Sequence, residues 1–172
     1  MLKIIRSLSD LKFSQLMHVY TESNALNGAS NFPNDTPEIQ IHKAEVEFYH
    51  YLDSVFFRQK SSFYAVWTVG DTYTAALRIE PYSNGLLLSA LETAPEARCK
   101  GYATALIRNV QELLNQQGSG MLYSHVSASN IPSLTTHKNC GFEVTKDYAV
   151  YSDGSVMHNC FTLVYKYKNT EI

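Results

Sequence analysis

The sequence predicts a single α/β domain in which helices flank a mixed, largely antiparallel twisted sheet. Three β-rich runs joined by short glycine-containing turns indicate an antiparallel meander. Segments with the apolar periodicity of helices lie before and after these runs. The length of 172 residues fits one domain, residues 1–172, and a hydrophobic content of 45% against 17% charged residues is typical of a globular core.

The N-terminal region predicts a short strand, a helix and a loop. Residues 2–6 form the strand, and Ser9 or Asp10 is a candidate N-cap for a helix that ends near Tyr20. Residues 24–38 are rich in Asn, Gly, Ser and Pro, a composition typical of surface loops. We therefore expect a surface loop that ends at Thr36.

A second helix is predicted at the end of this loop. Thr36 is a suitable N-cap, and Pro37 suits the first helical position because its missing N–H would have no intrahelical partner there. Apolar residues then recur at three- and four-residue steps, as on one buried face of a helix that reaches about Phe57. The residues on that face are Ile41, Ala44, Phe48, Leu52 and Val55.

The middle of the chain predicts the meander. The runs at residues 62–69 and 72–79 are rich in β-branched and aromatic residues, and they flank Gly70-Asp71, a turn typical of hairpins. The turn at residues 82–85 leads to a third apolar run at residues 86–93. We therefore expect three sequential antiparallel strands here.

The last part of the chain predicts a long helix, a strand, a short helix and a hairpin. Helical periodicity begins at Tyr102, and Gly118 is placed as the C-terminal stop. After a strand at residues 121–126, Asn130 can cap a short helix that Gly141 closes. A final hairpin follows the short helix.

The turn before the long helix reads R-C-K-G-Y-A, residues 98–103. Its Gly101 lets the backbone approach a ligand closely, and the N–H groups at a helix start lack intrahelical acceptors. The helix dipole also favours an anion at that end. The N–H groups of residues 99–104 therefore predict a phosphate site, although neither G-x-G-x-x-G nor G-x-x-x-x-G-K-[ST] occurs in the sequence.

This turn and the order of elements resemble the GNAT superfamily of acyl-CoA-dependent N-acyltransferases, in which Gln/Arg-x-x-Gly-x-Gly/Ala holds the coenzyme A pyrophosphate. Pro95 precedes the motif as in that family, and Asn130 and Gly141-Phe142 match its second conserved block. The resemblance implies acetyl-CoA as co-substrate and no metal. It places at the coenzyme the residues Thr93, Arg98, Cys99, Lys100, Gly101, Tyr102, Ala103, Thr104 and Asn130.

The sequence departs from the family pattern at two positions. Cys99 replaces a common glycine but still offers a backbone N–H. His137 stands where the family often has a tyrosine that protonates the departing thiolate. A histidine can serve as an acid near neutrality, although the thiolate leaves tolerably unaided. The alternative is that His137 lies on the polar side of the short helix.

Acetyl transfer to an amine requires a base, because a lysine-like amine has a pKa near 10.4 and arrives protonated. The resemblance places the thioester near Glu92, which could remove that proton through a water. The alternative is that Glu92 only bonds neighbouring backbone. A strand N–H from Leu91 to Thr93 could stabilise the tetrahedral intermediate.

The acceptor is predicted to be a small-molecule or peptide amine that attacks directly in a ternary complex. Residues 21–57 favour a cationic acceptor, since Lys43 is their single Lys or Arg; their acidic residues are Glu22, Asp35, Glu38, Glu45, Glu47 and Asp53. The alternative is that this excess of acidic residues is simply the solvent-exposed face of an amphipathic helix. Aromatic residues could line the acceptor pocket or belong to the core: Tyr49, Tyr51, Phe56 and Phe57.

Several classes of function are disfavoured. The net charge of −2 predicts neither nucleic-acid nor anionic-membrane binding. The three cysteines, Cys99, Cys140 and Cys160, predict a cytoplasmic protein without a disulfide framework, and their spacing from His137 and His158 does not suit zinc. A monomer or homodimer is expected. The alternative function is a non-catalytic sensor of acyl-CoA with the same fold.

Overall fold

A central mixed sheet, covered by helices on both faces, organises the residues that the computed structural model describes, 1–151 and 153–168. Its strands, with a two-stranded ribbon, are β1 (Leu2–Ile5), β2 (Phe63–Val69), β3 (Thr72–Tyr82), β4 (Gly85–Thr93), β5 (Gly120–Ser127), β6 (Glu143–Lys146), β7 (Ala149–Val150), β8 (Val156–Met157) and β9 (Cys160–Tyr167). The helices are α1 (Phe13–Val19), α2 (Thr21–Asn31), α3 (Pro37–Ser54), α4 (Tyr102–Gln117) and α5 (Ile131–Asn139).

The sheet follows the order β1-β2-β3-β4-β5-β9-β6. Among the described strands, neighbours pair antiparallel except β4 and β5, which confirms a mixed, largely antiparallel sheet and the β2-β3-β4 meander. The final hairpin is confirmed by the pairing of β6 with β9, and its tip forms the β7-β8 ribbon. Ser152, in the predicted turn of that hairpin, lies outside the described residues.

Two apolar clusters cover the two faces of the sheet. On one face α4 and α5 pack against residues such as Leu77, and on the other α1 to α3 pack around Leu16 and Leu52. The predicted period of α4 is confirmed, because its apolar stripe is buried at Leu106, Ile107, Val110 and Leu114. In the part of the chain that the structure describes, no helix combines the length and apolar character needed to cross a bilayer.

Two predicted helix boundaries are wrong. Neither Ser9 nor Asp10 caps α1, because residues 8–10 form a separate 3₁₀ turn and α1 begins at Phe13. α3 starts at Pro37 as predicted but ends at Ser54, before a 3₁₀ turn at Phe56–Arg58. Its predicted buried face is correspondingly shorter, since Val55 is 43% exposed.

The predicted loop is wrong over residues 24–31, which belong to α2 (Thr21–Asn31); residues 32–36 do form a loop, as predicted. Gly28 does not mark a turn. A Cβ at this position would lie 2.6 Å from the Gln40 carbonyl oxygen of α3, so the glycine allows the two helices to approach closely. The Gln40 side chain donates to the Phe32 carbonyl, 2.9 Å away, where α2 ends. Packing against α3 therefore stabilises a helix with a weak local signal.

Gly28→Ala is expected to lower the free energy of unfolding by about 1–3 kcal/mol, because the new methyl group would force α2 away from α3. The direction of this change tests the close packing, because a Gly-to-Ala substitution in an exposed helix interior instead raises the free energy of unfolding by about 1 kcal/mol. Denaturant titration measures it, with Ser30→Ala on the exposed side of α2 as the control. A more stable Gly28→Ala variant would contradict the close packing of these helices.

β4 and β5 separate where the candidate site lies. They pair in parallel only through residues 86–88 of β4 among the described residues, although β4 continues to Thr93. A bulge on the β3 side of β4 accompanies this separation, with Ala90 at φ +50°. The Tyr20 hydroxyl donates to the Ala90 carbonyl, 2.8 Å away. The β5-facing edge of β4 is therefore open beyond Leu88.

Candidate active site

The turn between β4 and α4 has the backbone of an anion cradle. Gly101 is the N-cap of α4 at φ +79°, and Cys99 is also left-handed at φ +59°. The first intrahelical hydrogen bond runs from the Ala105 N–H to the Gly101 carbonyl, 2.9 Å away. The N–H groups of residues 102–104 precede that bond, so they are available to an anion.

A cavity of about 770 Å³ opens over this turn and is here called the turn-side cavity. It extends from the start of α4 to Asn130 and Ser133 of the α5 region. The structure brings together eight of the nine residues predicted for the coenzyme, and the exception is Lys100, whose side chain is exposed and does not line the cavity. Asn130 also caps α5 by accepting a hydrogen bond from the Ser133 N–H, 3.1 Å away.

Arg98 connects the turn to α2. Its guanidinium donates to both carboxylate oxygens of Glu22, at 3.0 and 2.7 Å. These hydrogen bonds from Arg98 lower the pKa of Glu22. Because the guanidinium is engaged in this way, the backbone N–H groups are the main anion donors of the turn. Glu22 was predicted only as part of an acidic bias, since its partner lies 76 positions away in sequence.

A second cavity of about 350 Å³ lies between α2, α3 and the sheet, and is here called the helix-side cavity. Polar groups in its wall include Asn27 and Asn31 of α2, Glu47 of α3 and Arg78 of β3. Of these, only Glu47 was named in the sequence-based predictions. Arg78 interrupts an apolar stretch of β3, residues 75–79, and a charged residue in such a stretch was the signal that could have revealed it.

The predicted acceptor aromatics divide between this cavity and the core. Tyr51 lines the helix-side cavity, together with Phe48. Phe56 is fully buried in the core, and Phe57 packs against it with ring centroids 5.0 Å apart. Tyr49 is 42% exposed and contacts Phe13 instead.

Glu92 lies in the wall that the two cavities share. Among the described residues, Glu92 and Ser23 line both cavities. The Ser23 hydroxyl donates to the Glu92 carboxylate, so the hydrogen-bond partner is a side chain of α2. Burial raises the pKa of Glu92 above its usual range, and the Ser23 hydrogen bond opposes that change. A carboxylate with a raised pKa is a stronger base.

His137 is buried in the core at 1% exposure and lines neither cavity. Its Nδ1 lies 2.8 Å from the Ser133 carbonyl, which can only accept, so Nδ1 carries the proton. Nε2 then accepts from the Ser124 hydroxyl, 3.0 Å away. Desolvation lowers the pKa of His137. The structure corrects both interpretations of His137: it is not on the polar side of α5, and a buried neutral imidazole is not placed to protonate a thiolate.

His137→Phe is expected to destabilise the fold by about 1–3 kcal/mol, because it removes the acceptor of the buried Ser124 hydroxyl. The parent should also lose stability as pH falls below about 6.5, since its His137 takes up a proton more readily unfolded than folded. The His137→Phe variant has no imidazole to protonate at this position, so its stability should fall less than that of the parent over the same pH range. Denaturant titrations at pH 7.5 and 5.5 measure both effects, and an equal pH dependence in parent and variant would contradict this role.

The family relationship agrees with this site. The sequence model of the acetyltransferase (GNAT) family matches residues 28–142. The chain therefore belongs to the GNAT acetyltransferase family, which confirms the resemblance found in its turn motif. That match spans the predicted coenzyme residues and Glu92.

Two acetyltransferases match part of the chain. An aminoglycoside N(6')-acetyltransferase type 1 from Serratia marcescens is 37% identical over 82 residues, 44% of this chain and 56% of that protein. A streptothricin acetyltransferase from Streptomyces lavendulae is 29% identical over 82 residues, 47% of this chain and 43% of that protein. The chain thus matches about half the length of these relatives.

Solved structures share the fold over nearly the whole chain. The PaiA N-acetyltransferase from Thermoplasma acidophilum, in complex with coenzyme A, superposes with a TM-score of 0.64 at 16% identity and covers 97% of this chain and 99% of its own. An aminoglycoside 6'-acetyltransferase type Ii gives a TM-score of 0.62 at 11% identity, with 96% of each chain covered. At 16% and 11% sequence identity, these similarities show a shared fold only.

Proposed function

We propose that the protein is an N-acetyltransferase that transfers the acetyl group of acetyl-CoA to a primary amine of a small-molecule acceptor. The observation that carries this proposal is the position of Glu92 in the wall between the two cavities. A general base for this reaction has to lie within reach of the bound amine, and close to the thioester that the amine attacks. Glu92 is the carboxylate of the described residues that borders both spaces.

In this proposal the turn-side cavity holds coenzyme A. The N–H groups at the start of α4 bind the pyrophosphate, and the left-handed Gly101 leaves room for it because a Cβ there would meet no described atom within 4 Å. The pantetheine arm then follows the open edge of β4 beyond Leu88. This path brings the thioester to Glu92 and Thr93.

The proposed reaction is a direct displacement. The neutral amine nitrogen attacks the thioester carbonyl carbon, the new C–N bond forms, the C–S bond breaks, and the electron pair leaves with the coenzyme A thiolate. Before the attack, Glu92 removes the proton of the ammonium form through a water; as the C–S bond breaks, the second proton on nitrogen passes by way of solvent to the thiolate, whose pKa is similar to that of cysteine. A backbone N–H of residues 91–93 stabilises the developing oxyanion.

The proposal also covers the size of the acceptor and the cellular compartment. A small acceptor is favoured by the volume of the helix-side cavity and by the aminoglycoside and streptothricin named for the two relatives. Cys99, Cys140 and Cys160 are free thiols, which suits a reducing cytoplasm.

Release of free coenzyme A thiol across a panel of small amines tests the proposal. Thiol release that depends on both acetyl-CoA and an amine is expected, with the acetylated amine identified by mass. Calorimetry with acetyl-CoA alone separates the alternative, since a sensor binds the coenzyme but releases no thiol with any amine.

A further inference from the structure

The wall of the helix-side cavity contains a cation, Arg78, that forms no ion pair with a described carboxylate. Arg78 lies in the middle of β3, is partly buried and lines this cavity. Its strand neighbour across the sheet is Tyr64 of β2, which is fully buried. An arginine remains charged at any physiological pH, so this site carries a permanent positive charge.

Aromatic rings surround the guanidinium. Its Cζ lies 5.9 Å from the ring centre of Phe48, 5.3 Å from that of Tyr51 and 5.8 Å from that of Phe56. Such rings stabilise a cation and hold its plane in place, but they do not supply the anion that a desolvated charge requires. The cage therefore orients Arg78 without supplying the hydrogen-bonded anion that would balance its charge.

No carboxylate of the described residues lies within 4.0 Å of the guanidinium nitrogens. Glu80, on the same face of β3, accepts a hydrogen bond from the Ser89 hydroxyl, 2.8 Å away. Its charge helps to raise the pKa of Arg78, but the two side chains form no ion pair within 4.0 Å. The Arg78 Nε is itself buried without a hydrogen-bond partner in the described structure, and so is the Tyr64 hydroxyl. An unsatisfied guanidinium nitrogen on a residue that lines a cavity is uncommon in a native protein.

We propose that the acceptor carries a carboxylate as well as its amine, and that Arg78 binds this carboxylate while Glu92 faces the amine. This inference deepens the proposed function and rests on it. The planar guanidinium matches a carboxylate with two parallel hydrogen bonds, which a single ammonium group does not. The acceptor is then a small amino acid or a compound that resembles one.

The spacing of the two charges suits such a molecule. Arg78 is two residues along β3 from Ala76, the register partner of Glu92, and this corresponds to about 7 Å of strand. The cavity volume of about 350 Å³ also suits a compound of that size. Asn27, Asn31 and Glu47 line the same space and can bind its remaining polar groups.

The test compares amines that differ only in the carboxylate. Glycine, β-alanine, 4-aminobutyrate and L-lysine are each assayed against the corresponding carboxamide, and phosphoethanolamine is included to distinguish a phosphate from a carboxylate. For at least one pair, the parent is expected to show a kcat/KM at least about tenfold higher for the carboxylate, the usual effect of a charge-assisted pair. The range of chain lengths covers the spacing of the two charges.

Arg78→Met and Arg78→Lys show whether this preference depends on Arg78. Arg78→Met is expected to remove the preference mainly by raising KM for the carboxylate compound, with the carboxamide rate retained; Arg78→Lys should restore part of it. Arg58→Met is the control, since Arg58 is exposed on the 3₁₀ turn. Thermal shift with the N-acetylated amino acids provides a readout that does not require turnover.

The two proposals fail in different ways. If the parent acetylates amines but every pair reacts equally, or if phosphoethanolamine is preferred, the carboxylate inference is overturned and the acetyltransferase proposal stands. If no amine releases thiol, the acetyltransferase proposal is overturned. In that case, binding of the acetylated amino acids by the parent but not by Arg78→Met would still support the carboxylate site, and equal binding would overturn it.

Discussion

Replacement of Gly101 by Val is expected to abolish acetyl-CoA binding while the fold survives. The Cβ of Val would point into space that the described protein atoms leave open and that the pyrophosphate is proposed to occupy. Calorimetry should show no heat of binding. The parent, in contrast, should gain about 2.7 kcal/mol of stability at a ligand concentration 100-fold above Kd.

Gly70→Val is the matched control for this experiment. Gly70 also has a left-handed backbone, at φ +57°, and a Cβ there would also meet no described atom within 4 Å. Both variants therefore carry a similar backbone strain, of about 1–3 kcal/mol. Only Gly101 lines the turn-side cavity. If Gly101→Val binds acetyl-CoA as tightly as Gly70→Val, the assignment of the phosphate site is wrong.

Glu92→Gln is expected to lower turnover by about 10²–10⁴-fold with little change in acetyl-CoA affinity, the usual size of a lost general base. The acid side of the pH profile supplies a second measurement. Catalysis requires the ionised carboxylate, so the parent rate should fall as pH drops through the raised pKa of Glu92. The variant should lack that acid limb, and high pH should partly restore its rate because more of the amine is then neutral.

Glu96→Gln provides the control for charge at this end of β4. Glu96 is exposed, accepts from His18 at 2.8 Å and lines neither cavity, so its variant should keep the parent rate and profile. Parent-like turnover of Glu92→Gln at every pH would place the base elsewhere, or show that the amine loses its proton before it binds.

Local signals explain why much of the fold could be predicted. The period of α4, the stop at Gly118 and the cap at Asn130 each depend on residues within a few positions of one another. The turn around Gly101 is local for the same reason, because a left-handed residue and the first free N–H groups of a helix are neighbours in the chain. The backbone conformation of the proposed coenzyme site could therefore be predicted from the sequence.

The errors share a different cause. α2 has a loop-like composition, and its helix depends on close contact of Gly28 with α3. His137 has the sequence position of a family tyrosine, yet its burial and its bond to Ser124 of β5 arise from the packing of α5 on the sheet. Neither property can be inferred from neighbouring residues.

By itself, the sequence predicted the order of most strands and helices along the chain and the turn that is proposed to bind the pyrophosphate, since these follow from short-range periodicity, capping and glycine geometry. The family was indicated by the resemblance of that turn and of the element order to a known family. Only the tertiary structure decided how residues distant in the chain combine. It brought the Ser23 hydroxyl into a hydrogen bond with Glu92, and Glu22 into an ion pair with Arg98. It also placed Arg78 among aromatic rings from α3 and the adjoining 3₁₀ turn. The physical reason is that contacts between different elements set the burial of a side chain, its pKa and whether its charge has a partner. Local sequence patterns do not encode such contacts.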